Sequence, residues 1–235
     1  MDDLEGIARI SSTQFIVIGS HKKASRGKDP DREKIVLFSV DGDEISGAFD
    51  RRDLFDQLET YYPALVHVMT QKGGNKHNRR PLNIEAIAFD RKRKHLYIGL
   101  RTPVVGDDAV IIRLDNALDF MAGRDPVFAP EPRYVHLDEG GIRSLAYDDH
   151  SDQLLIISAQ DSVENVPTSL WSLSLLADAM PIKWTSDDEY LFDKVEGVAP
   201  FSDGFLFVRD QGDERSLDDW FVLDRRQLGL DVRVN

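Results

Sequence analysis

Short apolar runs alternate along the chain with turns rich in Asp, Gly, Pro and Lys, and four of these runs share a pattern. A polar or charged residue sits inside a small-apolar strand in Leu4-Glu5-Gly6-Ile7-Ala8, Ile84-Glu85-Ala86-Ile87-Ala88, Ile142-Arg143-Ser144-Leu145-Ala146 and Val195-Glu196-Gly197-Val198-Ala199. Each is followed, after a polar turn, by a more hydrophobic strand: Phe15–Ile18, Leu96–Ile98, Leu154–Ile157 and Phe205–Val208. β-branched and aromatic residues between turn-forming punctuation predict strands rather than helices. Further strands are expected at Ile35–Val40, Ala109–Leu114, Tyr134–Leu137, Ser169–Leu173 and Trp220–Leu223. The second repeat shows the fullest unit, with strand one at Glu85–Phe89, a charged turn, and strand two at His95–Leu100.

The marker residues Glu5, Glu85, Arg143 and Glu196 are separated by 80, 58 and 53 residues. Propeller blades recur at about 40–50 residues, so the last two intervals fit one blade each with modest insertions. The expected fold is all-β, a β-propeller of four-stranded blades, with four repeats visible and five or six if a partial blade is added. The first interval is long because residues 50–70 break the β pattern. Asp50 is expected to N-cap a helix carrying Leu54, Phe55 and Leu58. A second apolar stretch follows Pro63, so that 50–82 reads as a helical or loop insertion between strands of the first blade. A smaller helix is expected at Asn116–Ala122. Closing a four-bladed ring would need the C-terminal strand Gly229–Val234 to complete the first blade. The preferred reading is a single domain over 1–235 that lacks an N-terminal part of its ring.

Composition narrows the function classes. The chain has 235 residues, no cysteine and a formal net charge of −13. Disulfides, zinc-thiolate sites and cysteine nucleophiles are excluded. Residues 1–101 carry 18 Lys and Arg against 15 Asp and Glu, whereas the remainder carries 11 against 27. Such acidity argues against nucleic-acid binding, which rests on a basic field over phosphates. The basic runs at His21–Lys28, Lys72–Arg80 and Arg91–Lys94 read as solvated turns. No apolar run approaches a membrane span, and the acidic first residues do not resemble a signal peptide. The expected compartment is the cytoplasm, or the periplasm if a leader precedes this chain.

Asp3-Leu4-Glu5-Gly6-Ile7-Ala8, Gly19-Ser20-His21 with Arg32, and Asn83-Ile84-Glu85 leading to Ile98-Gly99-Leu100-Arg101-Thr102-Pro103 carry a resemblance. It continues through Gly141-Ile142-Arg143 to Val195-Glu196-Gly197-Val198. In this order the motifs resemble a bacterial propeller family catalogued as domain of unknown function 3616, related to phytase-like and lactonase-like propellers. The resemblance implies the fold and a further N-terminal stretch, and it implies almost nothing about substrate. Related propellers hold Ca²⁺ with acidic and amide oxygens.

Strand one of a blade lines the central channel, which directs Glu5, Glu85, Arg143 and Glu196 to one axis. Three carboxylates there require a compensating charge. A structural Arg–Glu cluster, a Ca²⁺ site on Glu5, Glu85 and Glu196, and acid–base use are three readings of that set. Residues following strand two form a second ring: His21, Arg101, Gln160 with Asp161, and Asp210. Arg101 would clamp a small anionic ligand and His21 would shuttle a proton, with Glu85 as the third catalytic candidate. The alternative is that Arg101 pairs with a channel carboxylate and His21 caps a turn. Trp171, Trp184 and Trp220 read as packing residues. His67, His77, His95 and His136 lack a metal-ligand interval, and there is no Gly-x-Ser-x-Gly elbow or P-loop spacing. The function reading is a module binding a small anionic ligand or a protein partner, the alternative a hydrolase of phosphate esters or lactones using Ca²⁺.

Overall fold

The computed structural model describes residues 3–21, 31–65, 82–138, 140–159, 168–176, 178–188, 191–210 and 219–230. Four antiparallel sheets follow one another along the chain as the blades of a β-propeller. Blade 1 is β1 (Leu4–Arg9), β2 (Gln14–Gly19), β3 (Ile35–Asp41) and β4 (Glu44–Arg51), in that spatial order. Blade 2 is β5 (Asn83–Asp90), β6 (His95–Val105), β7 (Asp108–Leu114) and β8 (Arg133–His136). Blade 3 is β9 (Gly141–Asp148), β10 (Gln153–Ala159), β11 (Ser169–Ser174) and the short β12 (Ile182–Lys183). Blade 4 has three strands among the described residues, β13 (Val195–Phe201), β14 (Gly204–Arg209) and β15 (Trp220–Asp224).

Side chains alternate across each pleated strand, so a blade buried on both faces needs apolar residues at successive positions. That explains runs such as Leu96–Leu100 and Leu154–Ile157, which are buried on both faces. Three cores result. Ile16, Ile18 and Ile35 of blade 1 pack on Ile87, Ile98 and Ile112 of blade 2. Tyr97 and Ile111 of blade 2 pack on Leu145, Ile156 and Trp171 of blade 3. Leu155 and Ile157 of blade 3 pack on Val198, Phe205 and Phe207 of blade 4. The inner strands pack in series, β1 on β5, β5 on β9 and β9 on β13.

Several expectations change. Blade 1 builds all four strands from residues 4–51, so it requires no strand from the C-terminus; residues 231–234 lie outside the described set. Asp50 belongs to β4, and helix α1 (Leu54–Tyr61) starts after Asp53. The Asp53 carboxylate makes no capping bond because Arg51 Nη2 holds it at 2.6 Å and Gln57 Nε2 at 3.2 Å. Leu54, Phe55 and Leu58 are buried as their spacing predicts. The insertion lies between blades 1 and 2 rather than inside blade 1, and α1 extends their shared core outward. Helix α2 (Ala117–Met121) falls where expected and adds Phe120 and Met121 to the same core. Arg91 and Arg93 do not sit in a merely solvated turn: Arg91 pairs with Asp149, and Arg93 donates to Asp90 at 2.8 Å and to Asp152 at 2.7 Å, clamping blade 2 to blade 3.

Candidate functional site

The registers of all four inner strands slip by one residue at the marker position. Leu4 pairs with Gly19 and Gly6 with Ile18, which leaves Glu5 as the extra residue of a β-bulge. Glu85 lies between Ile84, opposite Leu100, and Ala86, opposite Gly99. Arg143 is bypassed between Ile142 and Ser144, and Glu196 between Val195 and Gly197. A bulge leaves one residue unpaired and re-aims its side chain. The markers therefore escape the alternation that buries their neighbours on the blade faces, and three of them meet.

Glu85 is the centre of the cluster, its side chain only 6% exposed. Arg101 Nη1 donates to its Oε1 at 2.5 Å and Asn83 Nδ2 to the same oxygen at 2.9 Å. Arg143 Nη1 lies 3.5 Å from Glu85 Oε2 and 3.3 Å from Glu196 Oε1, bridging blades 2, 3 and 4. The approach depends on Gly141, because a Cβ there would overlap the Arg101 carbonyl oxygen. Arg101 is not a residue beyond strand two, since β6 runs on to Val105.

Glu5 completes the set electrostatically. Burial, reinforced by the negative charges of Glu85, Asp3 and Glu196 against the opposing Arg101, pushes its carboxyl up to about 7. Burial also raises Glu196, with Arg143 opposing and Glu85 and Asp210 adding to the rise. Asp3, in the left-handed region at φ 59°, accepts from Ser20 Oγ at 2.5 Å and Arg32 Nη1 at 3.0 Å. Asp210 follows β14, and its N–H donates to the Lys194 carbonyl at 3.0 Å. The carboxylates of Asp3, Glu5, Glu85, Glu196 and Asp210 thus outnumber the guanidiniums of Arg32, Arg101 and Arg143.

The structure brings Glu85, Arg101, Arg143 and Glu196 into direct contact, with Glu5 within their field. Among the described residues no group of three or more His, Asp and Glu has a metal-holding arrangement, and the arginines occupy the Glu85 oxygens that a cation would need. His21 is buried at φ 55°, its Nδ1 2.9 Å from the Gly19 carbonyl oxygen. Gln160 and Asp161 lie outside the described residues. Sequence reasoning missed Asn83 and Asp3, each of which stands two residues before a marker glutamate. Trp171 is buried and donates to Ser158 Oγ at 2.9 Å, and Trp184 packs edge-on against Phe192. Trp220 is 61% exposed rather than packed.

This constellation of blades and a charged axis defines a β-propeller. No family model and no curated protein matches the chain. Among solved structures it is similar to a chain of a nidogen/laminin complex, at 14% identity and a TM-score of 0.45, covering 100% of this chain and 64% of that one. PorZ of the type-IX secretion system of Porphyromonas gingivalis gives 15% identity and a TM-score of 0.45, over 87% of this chain and 24% of that one. The WD40 propeller domain of Doa1 gives 14% identity and a TM-score of 0.40, over 89% and 63%. The chain spans less than two thirds of the length of each of these three. Likenesses this distant leave the propeller assignment resting on the blades themselves. No helix among the described residues is long and apolar enough to cross a membrane.

Proposed function

We propose that this propeller is a binding module whose charged axis receives a basic group, a Lys or Arg side chain presented by a protein partner. One observation carries the reading: Glu5, a half-buried carboxyl, makes no ion pair or hydrogen bond among the described residues while Glu85 is met by two guanidiniums. A carboxyl held near neutrality by burial and like charges gains most from an arriving cation. A small anionic ligand fits less well, because Arg101 and Arg143 are already spent on Glu85 and Glu196. The hydrolase alternative draws on the same carboxyl, since a group titrating near 7 suits general acid–base work.

The test is fluorescence anisotropy with a labelled octalysine peptide at low salt and pH 8. Glu5→Gln is expected to weaken binding by about tenfold to a hundredfold, the scale of one hydrogen bond to a charged group. Unchanged affinity in that variant overturns the basic-group reading. Loss of phosphoester or lactone turnover in Glu5→Gln, at unchanged fold, would favour the hydrolase.

A further inference from the structure

Blades 2 and 3 leave a cavity between them, outside their inner strands. Register builds its blade 2 wall: Tyr97 of β6 stands opposite Arg113 of β7, and Ile111 of β7 opposite Arg133 of β8. Paired residues, and residues two apart on a strand, point to the same side of a sheet. All four therefore share the face on which Tyr97 and Ile111 pack against blade 3. Leu154 and Leu175 of blade 3 line the other side. The cavity measures about 80 Å³, several times the ~10–15 Å³ that one water needs.

The polar groups of this lining are unevenly satisfied. Arg113 gives Nε and Nη2 to Asp115 at 2.6 and 3.2 Å, which neutralises it. Arg133 has only carbonyls, Nη1 donating to Ser174 at 3.0 Å and Nη2 to Ala179 at 2.7 Å. They hold the guanidinium in place without cancelling its charge, and it makes no ion pair among the described residues. Burial pushes Arg133 below its ordinary value, with the charges of Tyr97 and Asp178 opposing. Tyr97 is only 7% exposed, yet its hydroxyl makes no hydrogen bond among the described residues. Burial pushes this phenol up to about 12, so it keeps its proton at neutral pH. A buried donor without an acceptor and a desolvated cation without a counter-charge are both costly, and one ligand can relieve both.

We propose that this cavity binds a small apolar monocarboxylate, its head between Arg133 and the Tyr97 hydroxyl and its tail on Ile111, Leu154 and Leu175. The head group follows from the donors: a guanidinium and a protonated phenol together suit an oxyanion. The tail follows from the aliphatic remainder of the wall, which an inorganic anion would leave uncovered. Glu131, an exposed carboxylate in the same lining, disfavours a second negative charge on the ligand. None of the axial residues Glu5, Glu85, Arg101, Arg143 and Glu196 lines the cavity, so this site stands apart from the axis.

The test is a ¹H–¹⁵N NMR titration of the full chain with sodium butyrate at constant ionic strength, up to about 50 mM, a range suited to so small a ligand. Saturable shifts are expected at the amides of Ile111, Ala129 and Leu154, which border the cavity. Tyr97→Phe should weaken binding about tenfold or more, the scale of a hydrogen bond to a charged group. Its melting temperature should match the wild type, because the hydroxyl has no partner to lose. Arg133→Met should abolish binding, and Tyr97→Phe decides alone where that variant does not fold. Succinate and butylammonium should leave these amides unmoved. Absence of saturable shifts, shifts confined to other regions, full affinity in Tyr97→Phe, or equal binding of succinate or butylammonium would each overturn the proposal.

Discussion

Arg143 of blade 3 reaches back to Glu85 of blade 2, Nη1 to Oε2 at 3.5 Å, and both are the bulged residues of their inner strands. The relationship ties a local backbone irregularity to the contact that joins blades at the axis. Each bulge trades a ladder position for a side chain aimed out of the blade face.

Replacing Arg143 by Leu should destabilise the fold by about 1.5–3 kcal/mol, the scale of hydrogen bonds to buried charged groups. The larger loss of a wholly unpaired buried carboxylate is avoided because Arg101 and Asn83 still hold Glu85. Urea titration at neutral pH measures the difference, and a double-mutant cycle with Glu85→Gln should show strong coupling.

The elevated Glu5 carboxyl has a pH signature. Its folded value of about 7 stands above the ordinary 4.5, so its contribution to stability is fully present below pH 4.5 and is lost as pH rises towards 7. Glu5→Gln should remove this decline and exceed the wild type at pH 8 by about 1–2 kcal/mol, a figure reduced by the partial exposure of the group. Thermal melts between pH 4.5 and 8 give the comparison.

At the opposite end of the inner strands the sign reverses. Arg93, followed by the Tyr147 hydroxyl, holds the Asp152 carboxyl down at about 2. Its stabilisation is present above the ordinary value of 3.8 and disappears as pH falls through 2. Asp152→Asn should be less stable than wild type at pH 6, and the gap should close in acid. Equilibrium unfolding at pH 2 and 6 would reveal it.

Gly141→Ala forces a methyl into the Arg101 carbonyl and should cost about 1–3 kcal/mol through overpacking. Because the displaced backbone carries Arg101, the Glu5 carboxyl should titrate at a different pH in this variant. Side-chain carboxyl NMR follows that change directly.

The blade plan was readable because it depends on local pattern. Short apolar runs rich in β-branched residues and bounded by turn signals read as strands buried on both faces, and their recurrence beside Glu5, Glu85, Arg143 and Glu196 marks one blade at each. The helix at Leu54–Tyr61 was equally visible from its apolar spacing, whereas its cap was misplaced because Arg51 competes for Asp53. A competing partner distant in neither space nor sequence still leaves no periodic trace.

The sequence by itself determined the repeat, the strands and the four marker residues, since these follow from alternation and turn chemistry. Tertiary structure decided that the markers are bulged, that Arg101 and Arg143 are consumed by Glu85, and that Ile7 and Trp220 face solvent. Register slips, charge pairing between blades and the neighbour of a sheet face all depend on residues far apart in the chain, and only their packing brings them together.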